Sequence, residues 1–108
     1  MSDIDVIEKM ISLSEKILSY VNNTDYEAFV KNEMLVEACA FNLSQLGELS
    51  HKLTEDFQNE YLNIPWKAIY GMRNKIIHDY DGVNLKVVWE TISEDLPELT
   101  QLLKNMLK

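Results

Sequence analysis

The chain has 108 residues, of which 46% are hydrophobic, so it can form one domain with a small core. Its net charge of −8 argues against an extended basic surface for nucleic acid, and a single cysteine excludes an internal disulfide and any multi-cysteine metal site. No apolar run approaches the roughly 18 residues that span a membrane, and the acidic first residues lack the layout of a signal peptide. We therefore expect one cytoplasmic domain, residues 1–108, without a membrane partner.

Two long helices are predicted in the first half of the chain. Apolar residues recur at helical spacing from about residue 3 to residue 21, with Ser2 or Asp3 as the N-cap. The polar residues 22–25 break this helix and offer a new cap before a short helical segment. A second long helix is expected over about residues 32–52, where the apolar positions are broad enough to be buried on more than one side.

The middle of the chain predicts a short helix followed by a longer one. Thr54 is placed to cap a short helix that ends near Leu62. Pro65 suits the first turn of the next helix, where its missing N–H costs nothing. That helix should end near Tyr80, with Gly82 at the left-handed position past the helix end.

The last third of the chain predicts a further helical stretch. Asn84 can cap it, and Pro97 should either begin a new helical turn or bend the old one. No segment shows the alternation of a β-strand, and only 3 Gly and 2 Pro are present. The predicted fold is all-α: an up-and-down antiparallel helical bundle of roughly four to five helices.

Positive charge is concentrated in one segment. Residues 1–60 contain 4 lysines and 12 carboxylates, a net charge of −8, and the rest of the chain is balanced. Within residues 61–78 there are three cations, Lys67, Arg73 and Lys75, and no carboxylate. If the protein binds a phosphate, the contact is expected in this segment and should be local rather than along an extended basic track.

Three residues in and just after this segment suit chemistry on a phosphodiester. Arg73 is the only arginine and can hold a phosphate through two parallel hydrogen bonds. His78 can move protons near neutral pH, and Tyr80 adds a phenol. At about 100° per residue, Arg73 and Tyr80 share one helical stripe, whereas Asn74 and His78 share a second stripe about 100° to 140° away. Either the arginine side chain swings across, or a second copy of the chain completes the site.

The pattern resembles the Arg-X4-6-His motif of the HEPN superfamily of helical domains. More narrowly, Arg73…His78-Asp79-Tyr80 resembles the Arg-X4-His-X-Tyr motif of the HepT toxins. The similarity extends over most of residues 30–100 through blocks that flank the motif in the family's order. These blocks are Leu46-Gly47-Glu48, Ile64-Pro65-Trp66 leading into Gly71-Met72-Arg73-Asn74, Val88-Trp89-Glu90-Thr91, and Asp95-Leu96-Pro97.

The resemblance implies a homodimeric endoribonuclease toxin that cleaves RNA, not DNA, without a metal or cofactor. His78 would be the general base or acid, Arg73 would stabilise charge on the phosphate oxygens, and Asn74 would orient His78 or the phosphate. Tyr80 would be adenylylated by a cognate nucleotidyltransferase antitoxin similar to MntA, which silences the toxin. Two alternatives stay open: a non-catalytic nucleotide- or substrate-binding subunit of a two-component nucleotidyltransferase, and a helical scaffold.

Purely structural roles are also open for the motif residues. Arg73 could form an ion pair with a carboxylate such as Glu48, and His78 could be a half-buried histidine near a helix end. Tyr80 could be a core residue with its hydroxyl at the rim. Four further residues are predicted to be structural: His51 at the surface, Cys39 in the core, and Trp66 and Trp89 as packing anchors.

Overall fold

The computed structural model describes residues 1–78 and 85–108, and for residues 73–78 it describes the helical backbone alone. The described residues form helices joined by short turns and contain no β-strand, so the predicted all-α class is confirmed. The helices are α1 (Asp3–Tyr20), α2 (Tyr26–Lys31), α3 (Glu33–Ser50), α4 (Glu55–Glu60), α5 (Trp66–His78), α6 (Leu85–Glu90) and α7 (Leu96–Asn105), with a π-helical turn over Thr91–Asp95.

Helix α1 begins where its capping residues predict. The Ser2 hydroxyl accepts a hydrogen bond from the Asp5 N–H at 3.1 Å, and the Asp5 carboxylate accepts one from the Ser2 N–H at 3.4 Å. This reciprocal pair is a capping box, which satisfies N–H groups that have no partner inside the helix. The helix ends one residue before the predicted boundary, and Asn23 then adopts a left-handed conformation with φ 61°.

Helix α3 is the central helix of the bundle, as its broad apolar pattern predicts. It packs against α1 on one side and against α5 on another. The Asn32 side chain caps it by accepting a hydrogen bond from the Leu35 N–H at 3.0 Å. Gly47 is buried, as expected where helices pack closely. The buried residues of α3 therefore cover a wide arc: Cys39, Ala40, Asn42, Leu43, Leu46, Gly47, Leu49 and Ser50.

The core is formed mainly by aliphatic side chains from α1, α3 and α7. Each fully buried side chain of this size contributes about 1.5–3 kcal/mol relative to exposure. The polar groups buried among them are satisfied locally: for example, the Ser14 hydroxyl donates to the Met10 carbonyl at 2.9 Å. The members with almost no exposed surface include Ile7, Met10, Ile17, Phe29, Leu43, Leu46, Ile69, Ile92, Leu96 and Leu103.

Hydrogen bonds at the corner between α4 and α5 determine where α5 starts. The Trp66 indole N–H donates to the carbonyls of Gln58 and Tyr61, both at 3.1 Å. The Gln58 amide in turn donates to the Ser50 carbonyl at the end of α3, at 2.9 Å. Pro65 was predicted inside the first turn but lies one residue before the helix, where its carbonyl accepts from the Ile69 N–H at 3.0 Å. Trp66 is thus the packing anchor that its sequence context predicted.

A π-helical turn separates α6 from α7. The Leu96 N–H bonds to the Thr91 carbonyl, five residues back. Pro97 lies in the first turn of α7; it has no N–H for the Ser93 carbonyl, and its ring would clash with that carbonyl in a regular α-helix. The preceding turn is therefore wider. Of the two predicted alternatives, a new helical turn or a bend, the structure has a new helix that starts at Leu96, one residue before Pro97; the π geometry was not predicted.

Within the described ranges, every helix is too short or too polar to cross a membrane.

Candidate functional site

The C-terminal half of helix α5 contains the motif from Arg73 to His78. The backbone is helical through Arg73, Asn74 and His78, but their side chains are outside the described part of the structure. Tyr80 also lies outside the described residues, as do the predicted helix-end residue Gly82 and the predicted cap Asn84. The catalytic and modification roles of these residues therefore stay predictions.

The residues one turn earlier in α5 show what each stripe of the helix faces. Ile69, one turn before Arg73, is buried with 2% of its surface exposed. Tyr70, one turn before Asn74 and two turns before His78, is half-buried. The first stripe therefore begins in the core, whereas the second begins at the edge of the bundle. This difference fits the predicted separation of the two stripes.

The edge stripe begins with an aromatic contact between α3 and α5. The His51 and Tyr70 rings stack with centroids 4.4 Å apart and planes inclined by 26°. His51 is exposed at the end of α3, as predicted, while Tyr70 is partly covered. Neither a role for Tyr70 nor its contact with His51 follows from the sequence, because the two residues are far apart in the chain.

Two lysines are close in the chain to the residues of this stack. Lys52 follows His51 directly, and Lys67 lies one turn before Tyr70. Both are exposed, and neither forms a salt bridge with any carboxylate in the described ranges. The segment predicted to be locally basic is therefore accessible at Lys67, on the edge stripe that leads to Asn74 and His78.

The alternative ion pair between Arg73 and Glu48 stays a prediction, because the Arg73 side chain lies outside the described part of the structure. Glu48 itself is half-buried on α3, one turn before His51, and it already has an interaction partner.

A pocket of about 540 Å³ opens on the other side of α5. Its wall from α5 includes Ile69 and Met72, and its opposite wall comes from the π-helical turn and α7. The lining is mainly apolar, with the carboxylates of Asp95 and Glu98 at its polar edge. An anionic edge repels phosphate, so this pocket does not suit an RNA backbone.

Metal-dependent and thiol chemistry find no support among the described residues. No group of three or more His, Cys, Asp or Glu side chains there could hold a metal ion. Burial raises the pKa of the Cys39 thiol to about 11, so this side chain stays protonated and unreactive.

Comparison with known proteins decides the family. The model of the family described as ribonuclease HepT-like matches residues 10–106. This chain belongs to that family. The match includes α3, the α4–α5 corner, the motif and α7, so the resemblance seen in the motif and its flanking blocks is confirmed.

Several relatives of this HepT-like chain match over nearly its whole length. A Caldanaerobacter subterraneus subsp. tengcongensis protein, described provisionally as an RNase, is 36% identical over 102 residues, 94% of this chain and 91% of the relative. A Methanocaldococcus jannaschii protein with the same kind of description is 34% identical over 104 residues, 96% and 83% of the two chains. A Thermococcus cleftensis protein named "Probable ribonuclease HepT" is 33% identical over 95 residues, 88% and 86%. No solved structure shows a significant match to the chain.

Proposed function

We propose that this HepT-like protein is a metal-independent endoribonuclease toxin that cleaves RNA with Arg73 and His78. The observation that carries the proposal is the complete Arg-X4-His-X-Tyr motif in the sequence of a chain that belongs to the family. The family description, and relatives described as RNases, support RNA as the substrate class. The exposed cation on the edge stripe of α5 supports a local phosphate contact. Cytoplasmic RNA is the substrate that fits this proposal.

The proposed reaction is an internal transfer at phosphorus. The ribose 2′-oxygen attacks the adjacent phosphorus while His78, from the same chain or from a second copy, removes the hydroxyl proton. The bond from phosphorus to the 5′-oxygen breaks, a cyclic phosphate forms, and a proton is delivered to the leaving oxygen. Arg73 stabilises the charge that grows on the non-bridging oxygens, and Asn74 orients His78 or the phosphate.

The proposed active form is a homodimer. Arg73 and His78 occupy different stripes of α5, and the stripe of Arg73 begins at a buried residue while that of His78 begins at the edge. Two copies that meet along α5 would bring the guanidinium of one to the imidazole of the other. This arrangement supports a cleft shared by two chains.

Regulation by a nucleotidyltransferase antitoxin similar to MntA is part of the proposal. The partner would attach adenylate to Tyr80, two residues after His78. A bulky anion there would occupy the region proposed for the RNA phosphate and so block substrate.

Cleavage by purified protein tests the central assignment. The wild type should cleave single-stranded RNA in the presence of a chelator, and His78→Ala should lower the rate by about 10²–10⁴-fold with unchanged helicity. Lys9→Ala, at an exposed position of α1, is the control for loss of a surface side chain. Equal rates for wild type and His78→Ala would remove the catalytic assignment.

The alternative function is a non-catalytic nucleotide- or substrate-binding subunit of a nucleotidyltransferase. That protein would bind nucleotide and leave RNA intact under the same conditions, even after removal of any adenylate on Tyr80.

A further inference from the structure

The His51–Tyr70 stack leaves one aromatic face available to a ligand. Tyr70 covers one face of the His51 imidazole, with 4.4 Å between the ring centroids. His51 is nevertheless exposed, since it lies at the C-terminal end of α3. The half-buried tyrosine restricts the imidazole on one face, so the solvent-exposed surface of His51 lies away from that contact.

The surroundings of this face suit a nucleotide. Lys52, next to His51 in the chain, and Lys67, one turn before Tyr70, are exposed and have no ion-pair partner among the described residues. Glu48, the nearest carboxylate along α3, is already engaged in an interaction of its own. Next to Tyr70, a Cβ placed on Gly71 would meet no atom within 4 Å, so the adjacent helix surface is open. Stacking rings flanked by cations are the combination that binds single-stranded nucleic acid.

The position of the stack along α5 relates it to the motif. Tyr70 precedes Asn74 by four residues and His78 by eight, so the three positions follow one stripe. Along the helix axis these separations correspond to about 6 Å and about 12 Å. A base stacked on His51 would therefore lie within one or two nucleotides of a phosphate bound at the motif.

We propose that His51, held in place by Tyr70, is a base-stacking subsite for a nucleotide that flanks the scissile phosphate of single-stranded RNA. Lys52 and Lys67 bind the adjacent backbone phosphates. Tyr70 is a positioning residue, since it acts through the His51 ring. This inference rests on the proposed ribonuclease function and specifies how the substrate is held. Stacking tolerates every base, so the subsite selects unpaired RNA rather than one sequence.

Binding of an uncleavable oligonucleotide tests the subsite separately from catalysis. The probe is a fluorescent single-stranded RNA of about ten nucleotides, long enough for a site of this kind, with 2′-O-methyl riboses that lack the attacking hydroxyl. Its Kd is measured by anisotropy for the wild type, His51→Ala, His51→Phe, Tyr70→Leu and the control Phe41→Ala, which removes an exposed ring elsewhere on α3. A second series replaces each nucleotide in turn by an abasic residue.

The expected results separate stacking from other roles of the imidazole. His51→Ala should weaken binding by about 5- to 150-fold, the range found when a stacking ring is removed. His51→Phe keeps a ring and should retain most of the affinity, whereas Tyr70→Leu should weaken binding through loss of ring placement. In the abasic series, one probe lacks the base that stacks on His51. For that probe the Kd values of the wild type and His51→Ala should be equal. Phe41→Ala should bind like the wild type.

Three outcomes would overturn the subsite. The first is unchanged binding by His51→Ala, and the second is equally weak binding by His51→Phe and His51→Ala. The third is a difference in Kd between the wild type and His51→Ala that persists with every abasic probe. If the wild type still cleaves RNA in any of these cases, the ribonuclease function stands and only the subsite fails. A wild type that neither binds nor cleaves single-stranded RNA overturns both.

Discussion

The carboxylate of Asp3 accepts two hydrogen bonds from Thr54, one from its backbone N–H at 2.9 Å and one from its hydroxyl at 2.8 Å. The same hydroxyl accepts a hydrogen bond from the Phe57 N–H at 3.2 Å and so caps α4. The first turn of α1 is therefore joined to the turn that leads through α4 into α5. A carboxylate in the first turn of α1 is also favoured by the helix dipole.

Replacing Thr54 should test this connection. Thr54→Ala removes the cap of α4 and one of the two hydrogen bonds to Asp3, so the free energy of unfolding should fall by about 1–2 kcal/mol. Thr54→Ser keeps a hydroxyl that can make both contacts and should stay close to wild type. Urea denaturation followed by circular dichroism measures the difference. Equal midpoints for the Ala and Ser variants would show that the connection does not contribute to stability.

A glycine in the middle of α5 offers a stabilising substitution. Gly71 has no positive φ, and a Cβ there would meet nothing within 4 Å. Gly71→Ala should therefore raise the free energy of unfolding by about 0.4–1 kcal/mol, because alanine loses less backbone entropy in a helix. Gly47→Ala provides the contrast, since Gly47 is buried in α3 and an extra methyl group in a packed interior is usually destabilising. Thermal unfolding of both variants checks the sign, and destabilisation by Gly71→Ala would contradict the prediction.

The pH dependence of stability should reveal the buried thiol. Burial raises the pKa of Cys39 from its ordinary value of 9.0 to about 11 in the folded protein. The unfolded chain therefore loses the thiol proton first as the pH rises. The stability that this thiol contributes is complete below pH 9 and is lost between about pH 9 and pH 11.

Cys39→Ala isolates this contribution, because other groups titrate identically in both proteins. The free energy of unfolding of the wild type should fall more steeply than that of the variant across this interval. Parallel curves would refute the burial argument. Alkylation of Cys39 at neutral pH should also be slow until the protein is unfolded.

Mixing two inactive variants tests whether one cleft uses two chains. Arg73→Ala and His78→Ala should each have very low RNase activity. A heterodimer of the two contains one cleft with an intact guanidinium from one chain and an intact imidazole from the other. Joint refolding should therefore restore part of the activity if the site is shared between copies.

The control for this experiment is each variant refolded alone at the same total concentration. A site built within one chain predicts no recovery from the mixture, because neither chain then holds both residues. That result would favour the other arrangement, in which the Arg73 side chain reaches across α5 to His78 of the same chain.

Modification of Tyr80 has a direct readout. Coexpression with a cognate nucleotidyltransferase should add the mass of one or more adenylate groups to this residue, and the modified protein should no longer cleave RNA. Tyr80→Phe lacks the acceptor hydroxyl and should escape both the added mass and the inhibition. Intact-protein mass spectrometry and an RNA cleavage assay check the two effects. A wild type that stays unmodified in the presence of its partner would contradict the proposal.

Most helix boundaries could be predicted because their causes are local. The side chains of Ser2, Asp25, Asn32 and Thr54 each accept a hydrogen bond from an N–H three residues ahead. A cap of this kind depends on residue type and short spacing alone. The π-helical turn was missed because its geometry depends on how the helix before Pro97 continues, and residue type indicates only that the regular pattern must change.

The sequence by itself determined the helical class, the caps and the Arg73–His78–Tyr80 motif, because these depend on periodicity and on residues close together in the chain. Only the tertiary structure decided that α3 and α5 pack side by side and place His51 on Tyr70 with 4.4 Å between the ring centroids. It also decided that Asp3 binds Thr54, at a separation of 51 residues. Contacts of this range follow from the packing of whole helices, in which many buried side chains share one minimum, and no local pattern specifies them.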